Sequence, residues 1–440
     1  MSLERRDFIK RTAIGTAGAF VAPTVIPSYL LDRRAPAGRI NVAVIGLGRQ
    51  TVNPNIPQFL KSSNAQIVAV CDVDKWRLAN GQKQVNDYYS QQKGFSYKGC
   101  DVYSDFRELL LRKDVDAVMI ATPDHWHVPM TIEAARAGKH ISLEKPISTC
   151  IEHGRQLVKA IKKHGVITRN DSEFRPLPKF SKAVELVRNG RIGKVQTIYV
   201  AVPPELSGDP LKPEPTMPVP EELNYDLWLG PAFEAPYTEK RVHAIKAYGR
   251  PGWMRVDSYC NGMISNWGAH LMGIVQWGNN TEYTGPVSIE GTGEFDKGLW
   301  NTLNKFDIKY SYVNGTEVFF KIERPYVRFV GTDGWIEVEY PDKLSASSQA
   351  ILDSKPGSGD ISFSNLLSDK EDFLQAIKDG KQSFEPLETA HRTISMCQLG
   401  LIAVKTGSVI TWDPEKEEII NDNAASAMLN IPIREKYFKF

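Results

Sequence analysis

The sequence predicts an α/β protein in which a doubly wound parallel sheet, over residues 38–165, is followed by a second α/β domain over 166–440. Three observations carry this prediction. A β-branched run over 40–45 ends directly in Gly46-Leu47-Gly48. Apolar strands and helix-period segments then alternate up to about residue 165, the rhythm of a parallel sheet covered on both faces. Beyond it, short alternating strands follow one another at the spacing of an antiparallel sheet.

The elements of the first half follow in order. Residues 40–45 read as a buried parallel strand. Gly46 and Gly48 let backbone N–H groups approach a pyrophosphate, and Arg49 and Gln50 continue the same turn. The third glycine of the full dinucleotide fingerprint would fall at position 51, where the chain has Thr51. Pro54 and Pro57 predict a late or irregular first helix. A second strand, 66–71, ends at Asp72, 26 residues past Gly46. A strand-ending carboxylate there accepts hydrogen bonds from adenosine ribose hydroxyls and repels a 2′-phosphate, which favours NAD over NADP; it can also serve as a turn residue. Residues 105–112 read as a helix and 115–121 as a strand ending in Thr122-Pro123. Residues 128–137 read as a helix stopped by Gly138, and 140–143 as a strand ending in Glu144-Lys145-Pro146. Gly46, Asp72, Thr122 and Lys145 all follow strand ends, the edge at which such sheets bind ligands.

In the second half, residues 180–188 read as a helix and 194–202 as a strand. Residues 203–222, rich in Pro and Glu, form a long loop. Strands follow at 287–291, 306–312, 317–322 and 326–330. A turn at Gly331-Thr332-Asp333-Gly334 leads into another strand at 335–339. Residues 369–378 and 388–406 are helical, the latter ended by Gly407.

Composition is that of an ordinary globular protein, 42% hydrophobic and 24% charged. A formal net charge of +2 gives no basic footprint for nucleic acid. Residues 1–37 alone carry +3, leaving −1 for the remainder. Five scattered cysteines without CxxC spacing suggest neither zinc nor a disulfide framework, and no metal constellation stands out. Glu4-Arg5-Arg6-Asp7-Phe8-Ile9-Lys10 resembles the twin-arginine export signal of bacteria. An uncharged stretch follows, and Ala35-Pro36-Ala37 offers a cleavage site. Pro23 and Pro27 interrupt the stretch and argue against a membrane anchor. The expectation is a periplasmic protein, exported folded with its cofactor.

Gly46-Leu47-Gly48, Asp72, Ala121-Thr122-Pro123 with His127, and Glu144-Lys145-Pro146 together resemble the Gfo/Idh/MocA oxidoreductases, which include glucose–fructose oxidoreductase and inositol dehydrogenase. The resemblance implies an N-terminal Rossmann domain and a C-terminal α/β domain with a large open, mostly antiparallel sheet. It implies late helices packing back on the Rossmann domain, NAD or NADP as cofactor, sugar or polyol substrates, and homodimers or homotetramers. In the family a helix start carries an Asp and a His four residues apart, on one helical face. The matching positions are Asn266 and His270, so this chain has an amide where the family has an acid.

The resemblance makes Lys145 and His270 the candidate catalytic pair: His270 takes the alcohol proton, and Lys145 stabilises the developing alkoxide. Glu144 orients Lys145 or the cofactor. Asn266 holds a sugar hydroxyl. Arg175, in Glu173-Phe174-Arg175-Pro176, resembles a family position near the substrate. His125 borders the nicotinamide or is a solvated loop residue. Trp253 is a stacking platform for a sugar or a core residue. Three functional readings stand: an NAD-dependent oxidoreductase acting on a sugar, glycoside or polyol secondary alcohol; an NAD-dependent glycosidase using transient C3 oxidation, as in some exported relatives; and a non-catalytic cofactor-binding protein.

Overall fold

The computed structural model describes residues 38–205 and 214–440. The proposed export signal, residues 1–37, lies outside them. No helix among the described residues is long and apolar enough to cross a membrane.

The first sheet has six parallel strands: β1 (Ile40–Ile45), β2 (Ala65–Cys71), β3 (Asp101–Tyr103), β4 (Ala117–Ile120), β5 (His140–Glu144) and β6 (Thr168–Asp171). Their order is β3-β2-β1-β4-β5-β6. The direction of winding therefore reverses between β1 and β4, where such sheets open a crevice for ligands. Every residue of β2 is buried, as a β-branched strand covered on both faces should be.

The prolines after Gly48 act as expected. The chain makes a wide π-helical turn over Thr51–Asn55, with Pro54 inside it, before the short helix Ile56–Lys61. The helix predicted at 128–137 starts earlier, at Asp124, and carries Pro129 within it. Pro123 caps this helix.

The boundary expected at 165 is corrected to beyond Asp171, because β6 pairs in parallel with β5. Thr168-Arg169-Asn170-Asp171 is polar throughout, yet all four residues are buried. The helix Asp369–Asp379 covers them: Arg169 pairs with Asp369 at 2.6 Å, and Lys370 pairs with Asp171. The same helix inserts Phe373 and Leu374 among Val42, Val44 and Ile67 of the first sheet. The late helix thus packs back on the Rossmann-type domain.

The second sheet has nine strands: β7 (Val195–Val202), β8 (Ser288–Phe295), β9 (Leu303–Ser311), β10 (Glu317–Ile322), β11 (Tyr326–Gly331), β12 (Gly334–Glu339), β13 (Lys343–Ala346), β14 (Ile410–Asp413) and β15 (Glu418–Ile419). The order is β13-β12-β11-β7-β10-β9-β8-β14-β15. Only β7 and β10 pair in parallel; the other pairs are antiparallel. Period-two alternation along β9 sends Phe306, Ile308 and Tyr310 inward. The helices Gly268–Gly278 and Leu387–Thr406 lie on that inner face, and a Cβ at Gly400 would sit 2.4 Å from the Tyr310 hydroxyl. All five cysteines are free and buried.

Candidate active site

A cavity of about 440 Å³ lies beyond the carboxyl ends of β1, β2, β4 and β5 and is closed from the other side by the second domain. Gly46, Gly48, Arg49, Gln50, Asp72, Thr122, Pro123, Glu144 and Lys145 all line it, together with Trp253, Asn266 and His270.

Its floor is the turn after β1. Gly46 has φ +86, and a Cβ there would fall 2.6 Å from the carbonyl oxygen of Ala121, so only glycine fits. Thr51, standing where a third glycine was expected, closes the turn by donating its hydroxyl to the Gly46 carbonyl at 2.6 Å. A Cβ at Gly48 would meet nothing within 4 Å, so the backbone faces open cleft. Asp72 accepts from the Leu47 N–H at 2.6 Å and from the Asp74 N–H at 2.9 Å. This carboxylate therefore also fixes the glycine turn. Burial raises its pKa, against these hydrogen bonds.

The β4 and β5 ends are tied by His127, whose ring nitrogens lie 2.9 Å from the Thr122 carbonyl and 2.7 Å from the Pro146 carbonyl. Burial pushes this ring below the usual imidazole range. The Thr122 hydroxyl is buried and has no protein partner. Asn55 donates to Glu144 at 2.9 Å, so Glu144 braces the loop as well as lining the cavity. Asp124 is buried with Oδ2 unpartnered, and burial pushes it up to about 6.

The second domain contributes the opposite wall. Lys145 donates from Nζ to the backbone carbonyl of Asn266 at 3.2 Å. His270 hydrogen-bonds through Nδ1 to the Ser172 carbonyl. A carbonyl only accepts, so Nδ1 carries the proton and Nε2 of the neutral ring is left as an acceptor. Burial first, and then the Lys145 charge, hold His270 well below the usual imidazole range. Phe174 stacks on His270 at 4.4 Å and on Tyr340 at 5.1 Å, which fixes the imidazole plane.

Two candidates lie outside this cavity. Arg175 does not line the cavity. It is fully buried, pairs with Glu282 at 2.6 Å and Glu385 at 3.2 Å, and lies over the Trp277 ring. His125 also lies outside the cleft. Its Nε2 is 3.1 Å from the Trp228 carbonyl, its ring packs against Tyr259, and burial pushes it down to about 4. The helix Asp124–Arg136 starts one residue before it, and His125 lines a second cavity with Val128, His153 and Phe233. Trp253 lines the cavity and also packs partly against the cluster around Tyr237 and Val242.

Residues 40–172 match the model described as "Oxidoreductase family, NAD-binding Rossmann fold", and residues 210–439 match "Oxidoreductase family, C-terminal alpha/beta domain", both of the Gfo/Idh/MocA group. The chain belongs to the Gfo/Idh/MocA oxidoreductase family. Its first domain is an NAD-binding Rossmann domain.

Among curated relatives, the glycosyl hydrolase family 109 protein 2 of Shewanella sp. (strain ANA-3) is 40% identical over 168 residues, 35% of this chain and 36% of that protein. The glycosyl hydrolase family 109 protein of Shewanella amazonensis is 33% identical over 168 residues, covering 36% of each. The matched stretch thus spans about a third of these relatives' length. The aldose-aldose oxidoreductase of Caulobacter crescentus, complexed with glycerol, superposes with a TM-score of 0.63 at 17% identity, over 85% of this chain and 99% of that one. The WlbA dehydrogenase of Bordetella pertussis, in complex with NADH and UDP-GlcNAcA, gives 0.62 at 15% identity, over 85% and 99%. At these identities the superpositions show a common fold.

Within this Gfo/Idh/MocA site, Glu173, Asp124 and Tyr340 also line the cavity, and no sequence motif had singled them out as site residues. Asp124, directly after Thr122-Pro123, could have been found from its place at a strand end. Glu173 lies two residues beyond β6, whose polar sequence does not mark it as a strand, and Tyr340 directly follows β12 of the second sheet.

Proposed function

We propose that the protein is an NAD-dependent oxidoreductase acting on a secondary alcohol of a sugar, glycoside or polyol. The observation that carries this reading is the convergence of Lys145, Asn266 and His270 on the same cavity as the glycine turn. The residues present fit the cofactor: the backbone at Gly48 opens onto the cleft, and the buried Thr122 hydroxyl lacks a protein partner. Gly46, Gly48, Arg49, Gln50, Asp72, Thr122, Pro123 and Glu144 would hold it. The Asp72 carboxylate favours NAD over its 2′-phosphorylated form. Bound NAD supplies a hydride acceptor.

The chain's own residues do the rest. Lys145 donates a hydrogen bond to the alcohol oxygen and stabilises negative charge there. His270, kept neutral by burial and fixed by Ser172, presents Nε2 to accept a hydrogen bond from the alcohol hydroxyl. Asn266 places a second hydroxyl. Phe174, Tyr340 and Trp253 offer apolar faces for sugar C–H groups.

A second reading, an NAD-dependent glycosidase with transient oxidation at C3, is favoured by the naming of the glycosyl hydrolase family 109 relatives. The same residues serve it, with aglycone loss between oxidation and re-reduction. We further propose export by the twin-arginine route to the periplasm and assembly into a dimer or tetramer. Export of a reporter fused to residues 1–40 should cease when Arg5 and Arg6 become Lys; unaffected export would reject that route.

Native purification followed by mass spectrometry for NAD(H), then a glycoside and sugar screen, tests the function. Net NADH with free sugars supports the oxidoreductase. Aglycone release without net NADH supports the glycosidase. No bound or bindable nucleotide rejects both.

A further inference from the structure

Glu173 is the one acid of the cleft wall held by a strained backbone. It has φ +62, a left-handed conformation that side chains other than glycine, asparagine and aspartate seldom adopt. Its own N–H donates to Asp369 Oδ2 at 2.7 Å, and Asp369 is gripped in turn by Arg169 at 2.6 Å. On the cleft side, Gln50 Nε2 donates to Glu173 Oε1 at 2.8 Å. The residue is therefore held from behind by a buried ion pair and from the front by the glycine turn. Strain maintained in this way is common where a side chain has to be aimed. The Gln50 bond is made to Oε1, and Glu173 lines the same cavity as Lys145, Asn266 and His270.

Two other features of the cleft give this carboxyl a task. Asn266 cannot exchange a proton, so the helix start beside Lys145 offers no acid. His270 has a neutral ring whose basicity is depressed by burial and by Lys145, which makes it a good acceptor but a poor proton sink near neutrality.

We propose that Glu173 is a catalytic carboxyl of this cleft, contacting the substrate alcohol through Oε2 and taking its proton as the carbon is oxidised. The proposal rests on the oxidoreductase reading above. In the step, the substrate O–H bond breaks and its proton passes to Oε2. The carbinol C–H bond breaks with both electrons, the hydride leaves to the nicotinamide cofactor, and the C=O bond forms. Reduction runs the same atoms backwards, with Glu173 as the acid.

The electrostatics support the role. Burial pushes Glu173 up to about 7. The charged groups facing it are Glu144 and Lys145 at the end of β5 and Asp369 and Lys370 on the helix behind; the two acids raise it and the two lysines oppose them. From the remaining walls, Gln50 adds no charge and His270 a neutral ring. A group titrating near the working pH is best matched to both halves of a reversible proton transfer.

The test uses the full-length protein. Infrared pH-difference spectra of the wild type, without substrate, should show a carboxyl titrating near 7 that is absent from Glu173→Gln. With a sugar that the wild type turns over, Glu173→Gln should lose roughly 10²-fold in kcat with KM little changed. It should also lose the acidic limb of the pH profile for oxidation, while NAD binding by calorimetry stays near wild type. Glu173→Asp should recover part of kcat. Wild-type kcat and an unchanged acidic limb in Glu173→Gln would overturn the proposal. So would a wild type with no carboxyl titrating near 7, a measurement that stands even if the variant fails to fold. No turnover of any sugar or glycoside by the NAD-loaded wild type would overturn the oxidoreductase reading along with it.

Discussion

Lys145, at the end of β5 in the first domain, donates its amine to the main-chain carbonyl of Asn266 at 3.2 Å, across the cleft in the second. The bond goes to the backbone, so the amide side chain of Asn266 stays available to a ligand. It also places the ammonium beside His270, whose proton affinity it lowers. One lysine thus joins the two domains and adds to the effect of burial on His270.

Lys145→Ala removes the donor for the alcohol oxygen. Turnover should fall by about 10³-fold, while NAD binding measured by calorimetry stays within a few-fold of wild type. Near-normal turnover would reject the assigned role.

His270 is held neutral by burial, and the sign of its effect on stability follows. Unfolded, the ring binds a proton near 6.5; folded, it does so only well below that. Its contribution is therefore complete above about pH 6.5 and is lost as pH falls below it. His270→Gln should make the urea midpoint fall less steeply between pH 7 and pH 5, by no more than the one proton this ring binds, while His127 and His391, lowered in the same way, keep part of the slope. An unchanged slope would contradict the buried neutral ring.

Asp124 has the opposite signature. Its folded carboxyl is pushed up to about 6 by burial, so ionising it at neutral pH costs about 3 kcal/mol at most relative to the unfolded chain. Asp124→Asn should raise the Tm at pH 8 and raise it less at pH 5, where the native carboxyl is already protonated. A lower Tm at both pH values would show that the charge is held by partners instead.

Arg175, assigned from sequence to the substrate, should behave as a structural residue. Arg175→Ala leaves Glu282 and buried Glu385 short of a partner. Breaking a buried pair in this way costs about 3–5 kcal/mol. Chemical denaturation should show the loss, and the protein that remains folded should keep its KM for the sugar. A raised KM with normal stability would return Arg175 to the binding site.

The sequence by itself determined the strands and the glycine turn of the first domain, because each is encoded locally. β-branched runs make β1, β2 and β4, Gly46 permits a φ no other residue there could hold, and the acid or lysine after each strand lands on the ligand edge by topology alone. It determined most of the antiparallel sheet for the same reason, through period-two alternation. Only the tertiary structure decided what polar residues do. Thr168–Asp171 is a buried strand because a helix some 200 residues later carries Asp369 and Lys370 to it. Arg175 is taken from the cleft by Glu282 and Glu385, and Glu173 is turned into it by Asp369 and Gln50. Apolar patterning reports burial one residue at a time. The fate of a charge depends on which partner the folded chain brings within 3 Å, and no local window of sequence contains that partner.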